Sequence, residues 1–169
     1  MYYPDPARNP HPELRSFAIA VYVVSALSAV LQLYMSTVVF GLFLLFVAFF
    51  MNKAQKITAA GTLYASHVEW AGRTLKLGTF YVFPAAFAIG AWLVWKNTDV
   101  ASVKAAMNSD DMDVTMNGMQ NYIHQSIPIL AHTSVMAMIP AVLWWVRRCV
   151  SGILKAKKGL PMDYPDSWI

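Results

Sequence analysis

Charge is scarce in this chain. Only 13% of its 169 residues are Asp, Glu, Lys or Arg, against roughly 25% in an average soluble protein. Hydrophobic residues make up 57%, more than a water-soluble fold of this size could hide, so a soluble globular enzyme is excluded. Cysteine is limited to Cys149, which rules out an intramolecular disulfide; it follows Arg147 and Arg148 and reads as a bystander. No Asp or Glu falls inside the long apolar runs, so the coupling carboxylate of a secondary transporter is missing. Nucleophile-elbow, phosphate-loop and metallohydrolase motifs are missing too, and Ser25, Ser28 and Ser36 read as small helix-packing residues. Neither an enzyme nor a cofactor is expected. The opening Met1 to Arg15 holds four prolines and no charged stretch leading into a small-residue cleavage site, so the first apolar segment is expected to stay as an anchor.

The apolar residues that are present gather into long runs, the pattern of helices whose solvent is lipid. Four segments are long enough to cross ~30 Å of hydrocarbon, at about Phe17–Met35, Thr37–Met51, Thr79–Trp95 and Ile127–Val146. The first two would make one helix of about 50 Å, too long for a single crossing, so a tight turn is placed near Gln32 to Thr37. The expected fold is an all-α integral membrane domain over 1–169. A cytoplasmic amphipathic helix (52–78) precedes the third span, a short helical outer loop (97–125) follows it, and a tail (147–169) ends the chain.

Orientation follows from Lys and Arg. Eleven of the thirteen lie at Arg8 and Arg15, at Lys53, Lys56, Arg73 and Lys76, and at Arg147, Arg148, Lys155, Lys157 and Lys158. Only Lys96 and Lys104 share the segment that carries Asp99, Asp110, Asp111 and Asp113. Both termini are therefore expected on the cytoplasmic side of a bacterial inner (plasma) membrane. The basic residues stand beside apolar runs, where they meet headgroups, so nucleic acid is not an expected partner despite the net charge of +4. Trp92, Trp95, Trp144 and Trp145 suit an aromatic belt, and Pro84, Pro128 and Pro140 predict kinks.

Three sets of residues are candidates for function. His67, Trp70 and Thr74 are spaced i, i+3, i+7 and share one helix face, flanked by Ser66 and Arg73. That face reads either as a contact surface, with Trp70 as anchor and Arg73 for a partner or a lipid phosphate, or as internal bonds from His67 and Arg73 that lock the helix to the bundle and the tail. His132 lies about six residues inside the fourth span, and an ionisable residue at that depth is a candidate site. A haem there needs a second ligand at equal depth, and His11, His67 and His124 lie outside the spans, so an interhelical hydrogen bond is expected instead. Met112, Met116 and Met119 recur at i, i+4, i+7 near His124. They could hold a soft ion such as Cu(I), but the spacing reads better as an adaptable apolar stripe for a membrane or partner. No metal is expected.

The run Ser66-His67-Val68-Glu69-Trp70-Ala71-Gly72-Arg73-Thr74 leads into a span, and Arg147-Arg148-Cys149-Val150-Ser151-Gly152 precedes Gly159-Leu160-Pro161 and the closing Pro165-Asp166-Ser167-Trp168-Ile169. In this order the two motifs resemble a family of small bacterial four-helix inner-membrane proteins of unknown function, loosely grouped with the Tic-type translocon proteins. The resemblance covers roughly Arg15 to Ile169 and implies a four-helix membrane domain and a possible place near protein translocation. The outer segment Asn97–Gln125 is longer and richer in Met, Asn and Asp than the family pattern. The expected function is a non-enzymatic helical subunit or scaffold of a larger inner-membrane assembly. Its partners would be membrane lipids and either other inner-membrane proteins or further copies in a homo-oligomer. The alternatives are an oligomeric translocation or permeation element and a haem- or copper-handling membrane protein.

The topology is testable in a Cys149→Ser background. Asn117→Cys is expected to react with a membrane-impermeant thiol reagent added to intact cells, and Lys53→Cys only after lysis; the opposite pattern inverts the orientation.

Overall fold

The computed structural model describes residues 12–34, 36–97, 100–109 and 111–163. Arg8, His11, Met35, Asp99, Asp110 and the closing Pro165–Ile169 lie outside the described residues. Among the described residues every regular element is helical. They are α1 (Pro12–Leu31), α2 (Val38–Thr58), α3 (Tyr64–Leu77), a π-helical segment (Gly78–Val82), α4 (Phe83–Asn97), α5 (Val100–Met107) and α6 (Met112–Lys157). Four helical stretches are long and apolar enough to cross a membrane: Pro12–Leu31, Val38–Thr58, the continuous Tyr64–Asn97, and Met112–Lys157. The protein is a multi-pass helical membrane protein.

The boundaries follow local chemistry. Between α1 and α2 the Thr37 hydroxyl donates to the Leu31 carbonyl at 2.7 Å and the Thr37 N–H to the Tyr34 carbonyl at 3.0 Å, so the reversal satisfies its own polar groups, as apolar surroundings require. α2 continues past Met51 to Thr58, because Asn52 to Lys56 contain no helix breaker. The 52–78 segment, expected as a single helix, is therefore split by a turn in which Gly61 takes φ 76°, and only Tyr64–Leu77 forms α3. α3 then runs into α4. Pro84 has no N–H to donate and cannot continue the α-helical ladder; just before it, Gly78–Val82 widen into the π-helical segment.

α6 is longer than its expected span and absorbs both the Met-rich part of the outer loop and the start of the tail. Its 46 residues are more than twice the ~20 that one crossing needs. Pro128 and Pro140 are accommodated inside it. The Asp113 N–H donates to Asp111 Oδ1 at 2.9 Å, an N-terminal cap. At the other end Gly159 takes φ 66°, its N–H donates to the Ala156 carbonyl at 3.1 Å, and the Leu160 N–H donates to the Lys155 carbonyl at 3.0 Å. This pair of bonds is a Schellman motif.

Two compact units are distinguished, Met1–Val82 with Ala141–Ile169, and Phe83–Pro140. In the first, α1 packs on α2 and α3 through small buried residues: Ala18, Ser25, Ser28 and Ala29 on α1, Gly41 and Ala48 on α2. Close backbone approach supplies the van der Waals contact that drives helix association in lipid. Val39, Phe43, Phe46 and Phe50 on α2 are exposed, an apolar face for lipid. Trp145 is fully buried rather than part of an aromatic belt: its ring lies so close over Gly78 that a Cβ there would collide with it. In the second unit, Phe83, Ala86 and Gly90 are the buried residues of α4, while Trp92 and Trp95 are exposed.

The Schellman glycine gives a test. Gly159→Ala places a Cβ in the left-handed region and is expected to cost about 1–2 kcal/mol, read as a lower Tm of the detergent-solubilised protein. An unchanged Tm would mean that this turn does not limit stability.

Candidate functional site

The motif residues of α3 converge on a buried polar hub inside the first unit. Tyr22 of α1 is 1% exposed and His67 1% exposed. The Tyr22 hydroxyl lies 3.1 Å from His67 Nδ1 and 3.1 Å from the His67 carbonyl, to which it also donates. His67 Nε2 lies 2.8 Å from the Leu160 carbonyl. A carbonyl can only accept, so Nε2 carries a proton. With the proton on Nε2, the single Tyr22 hydroxyl proton is shared between the His67 carbonyl and Nδ1 of the neutral tautomer. The Ser66 hydroxyl extends the same clamp by accepting the Met162 N–H at 3.0 Å and donating to the Leu63 carbonyl at 2.8 Å.

One turn further along α3 a second loop of bonds surrounds Arg148, which is 2% exposed. Its Nε donates to the Thr74 hydroxyl at 3.0 Å, the Thr74 hydroxyl donates to the Trp70 carbonyl at 2.8 Å, and the Trp70 indole N–H donates to the Arg148 carbonyl at 3.2 Å. The guanidinium carbon sits 3.7 Å from the Trp70 ring centroid and 5.3 Å from that of Trp144. Cation–π contact of this kind reaches ~2 kcal/mol when desolvated. Gly152 of α6 completes the packing: a Cβ there would collide with the Tyr22 ring.

The structure thus places His67, Trp70 and Thr74 against the unit's own helices and tail, not on a surface open to a partner. Burial of the apolar α3 face wins over exposure of its polar atoms because every one of those atoms named above finds a partner. Arg73 is half-buried on another side of α3. Met112, Met116 and Met119 are exposed on α6, as are His124 and His132, and the neighbouring Thr133 hydroxyl donates to its own helix at the Ile129 carbonyl, 2.6 Å away. Among the described residues no three His, Cys, Asp or Glu side chains gather into a metal-holding group. Tyr22 and Arg148 were not singled out as site residues in the sequence. The available signal was that Tyr22 shares an α1 face with Ala18, Ser25 and Ala29.

A groove of about 800 Å³ opens between the end of α2 and α3. Phe49, Phe50 and Val68 give it apolar walls, and Lys53, Lys56, Arg73 and Lys76 border it with Glu69. No family model, curated protein or solved structure matches the chain.

Arg148→Lys tests the hub. Lysine keeps the charge but loses the planar stacking and the Nε donor, so a loss of about 2 kcal/mol or more is expected, seen as a Tm drop in detergent. A Lys variant as stable as the parent would show that charge alone suffices there.

Proposed function

We propose that the protein is a non-enzymatic helical subunit or scaffold of a larger assembly in a bacterial inner membrane, with both termini cytoplasmic. The observation that carries this reading is the length of α6 together with what its first turns expose. A single crossing uses about 20 residues, which Ile127–Val146 supplies, and the residues before Ile127 add about four further turns. On those turns Met112 (81% exposed), Met116 (59%), Met119 (43%) and Ile123 (49%) form one apolar stripe. Outside the hydrocarbon such a stripe faces water, and covering it with another protein or a second copy removes that cost. Methionine is suited to the task because its flexible thioether adapts to the partner's shape. The hub supports a scaffolding role as well, since it ties α1, α3, α6 and the tail into one body. With His67, Trp70 and Thr74 turned inward, contact on the α3 side falls to the groove.

The test is purification of the tagged full chain from its native membrane in mild detergent, with native mass. A stoichiometric partner or a defined oligomer is expected. Met112→Gln/Met116→Gln/Met119→Gln is expected to lose it while keeping the same helix content by circular dichroism. A parent chain that runs as a bare monomer, indistinguishable from the triple variant, overturns the reading.

A further inference from the structure

The groove between α2 and α3 combines three properties. First, its two walls are single helix faces. Phe49, Asn52, Lys53 and Lys56 recur at i, i+3, i+4, i+7 on α2, and Ala65, Glu69, Gly72 and Lys76 at i, i+4, i+7, i+11 on α3. Second, it sits where the apolar run of α2 gives way to charge. Phe49 and Phe50 lie at the end of that run, which Met51 closes, and Asn52, Lys53 and Lys56 follow within two turns on the same helix. Four cations border it against one acid, Glu69. Third, it contains an acceptor in need of a donor. The Asn52 amide fills the space beside Gly72, its nitrogen 2.7 Å from where a Cβ would stand, and its Oδ1 is buried with no hydrogen-bond partner. A buried carbonyl oxygen left unpaired costs about 1–3 kcal/mol.

We propose that this groove is a binding site for an anionic phospholipid of the leaflet that surrounds it, with a headgroup that carries hydroxyls. The phosphate lies among the bordering cations, the acyl chains follow Phe49 and Phe50 into the hydrocarbon, and a headgroup hydroxyl donates to Asn52 Oδ1. Charge complementarity selects the anion, the aromatic wall selects a lipid over a free phosphate, and Asn52 selects a hydroxylated headgroup over a bare phosphate monoester. The site holds whichever leaflet the α2–α3 turn faces, and it does not depend on the subunit reading.

The full chain is reconstituted in vesicles of phosphatidylcholine with a minor share of phosphatidylglycerol, extracted, and the retained lipid is read by native mass spectrometry. Phosphatidylglycerol is expected to be enriched at least about tenfold over its bulk share. Lys53→Gln/Lys56→Gln/Lys76→Gln is expected to bring retention to within about twofold of bulk, whereas Lys155→Gln/Lys157→Gln/Lys158→Gln, which removes equal charge from the end of α6, leaves the enrichment in place. Asn52→Ala is expected to abolish the preference for phosphatidylglycerol over phosphatidic acid. Should the first triple variant fall apart in detergent, Ala65→Trp fills the groove without changing charge and is expected to give the same loss. Equal retention of phosphatidylcholine, equal losses from both lysine triples, retention by a folded Ala65→Trp chain, or displacement of the lipid by millimolar glycerol 1-phosphate would each overturn the proposal.

Discussion

The buried guanidinium of Arg148 is the constraint around which the first unit is organised. An arginine at 2% exposure is tolerable only where its charge and donors are met. Here the Trp70 indole face meets the charge and the Thr74 hydroxyl accepts from Nε, while the Arg148 carbonyl accepts the Trp70 indole N–H. Those requirements fix which face of α3 points inward. Once Trp70 and Thr74 are committed to Arg148, His67 is one turn back on the same face and reaches Tyr22 and the Leu160 carbonyl. The Leu160 carbonyl in turn is presented by the left-handed Gly159 turn that ends α6. The two sets of bonds meet in α3, whose His67 serves the helix stop and tail and whose Trp70 and Thr74 serve Arg148.

Committing that face inward decides what remains outside. The opposite side of α3 carries Glu69, Arg73 and Lys76, and packing it beside the end of α2 leaves the groove with Lys53 and Lys56 on the facing wall. Lys53, Lys56, Arg73 and Lys76 thus line a concave, partly apolar site. In the other unit nothing comparable draws the Met112, Met116 and Met119 side chains inward, and they stay exposed.

Much of the architecture is legible in the sequence. Run length and absence of charge are local properties, and they sufficed for four crossing helices and for the reversal between Leu31 and Val38. Helix ends were less legible. The spans were bounded by the apolar runs, yet α2 continues through Lys53 and Lys56 and α6 through Arg147 to Lys157, because these residues are good helix formers and nothing breaks the backbone hydrogen bonds. The π-helical segment before Pro84 was read only as a kink. Of the hub, the i, i+3, i+7 spacing of His67, Trp70 and Thr74 showed that they share a face, but left open which way the face pointed.

The sequence by itself determined that the chain is all-helical and crosses a membrane several times, because burying backbone polar groups in lipid leaves no other choice for long apolar runs. It also determined that His67, Trp70 and Thr74 act together, through helix periodicity. Only the tertiary structure decided that this shared face meets Tyr22, Arg148 and Leu160, partners 45, 74 and 93 residues away along the chain. Contacts at that separation depend on how helices pack and where α6 ends, and neither is written in the local pattern of any one segment.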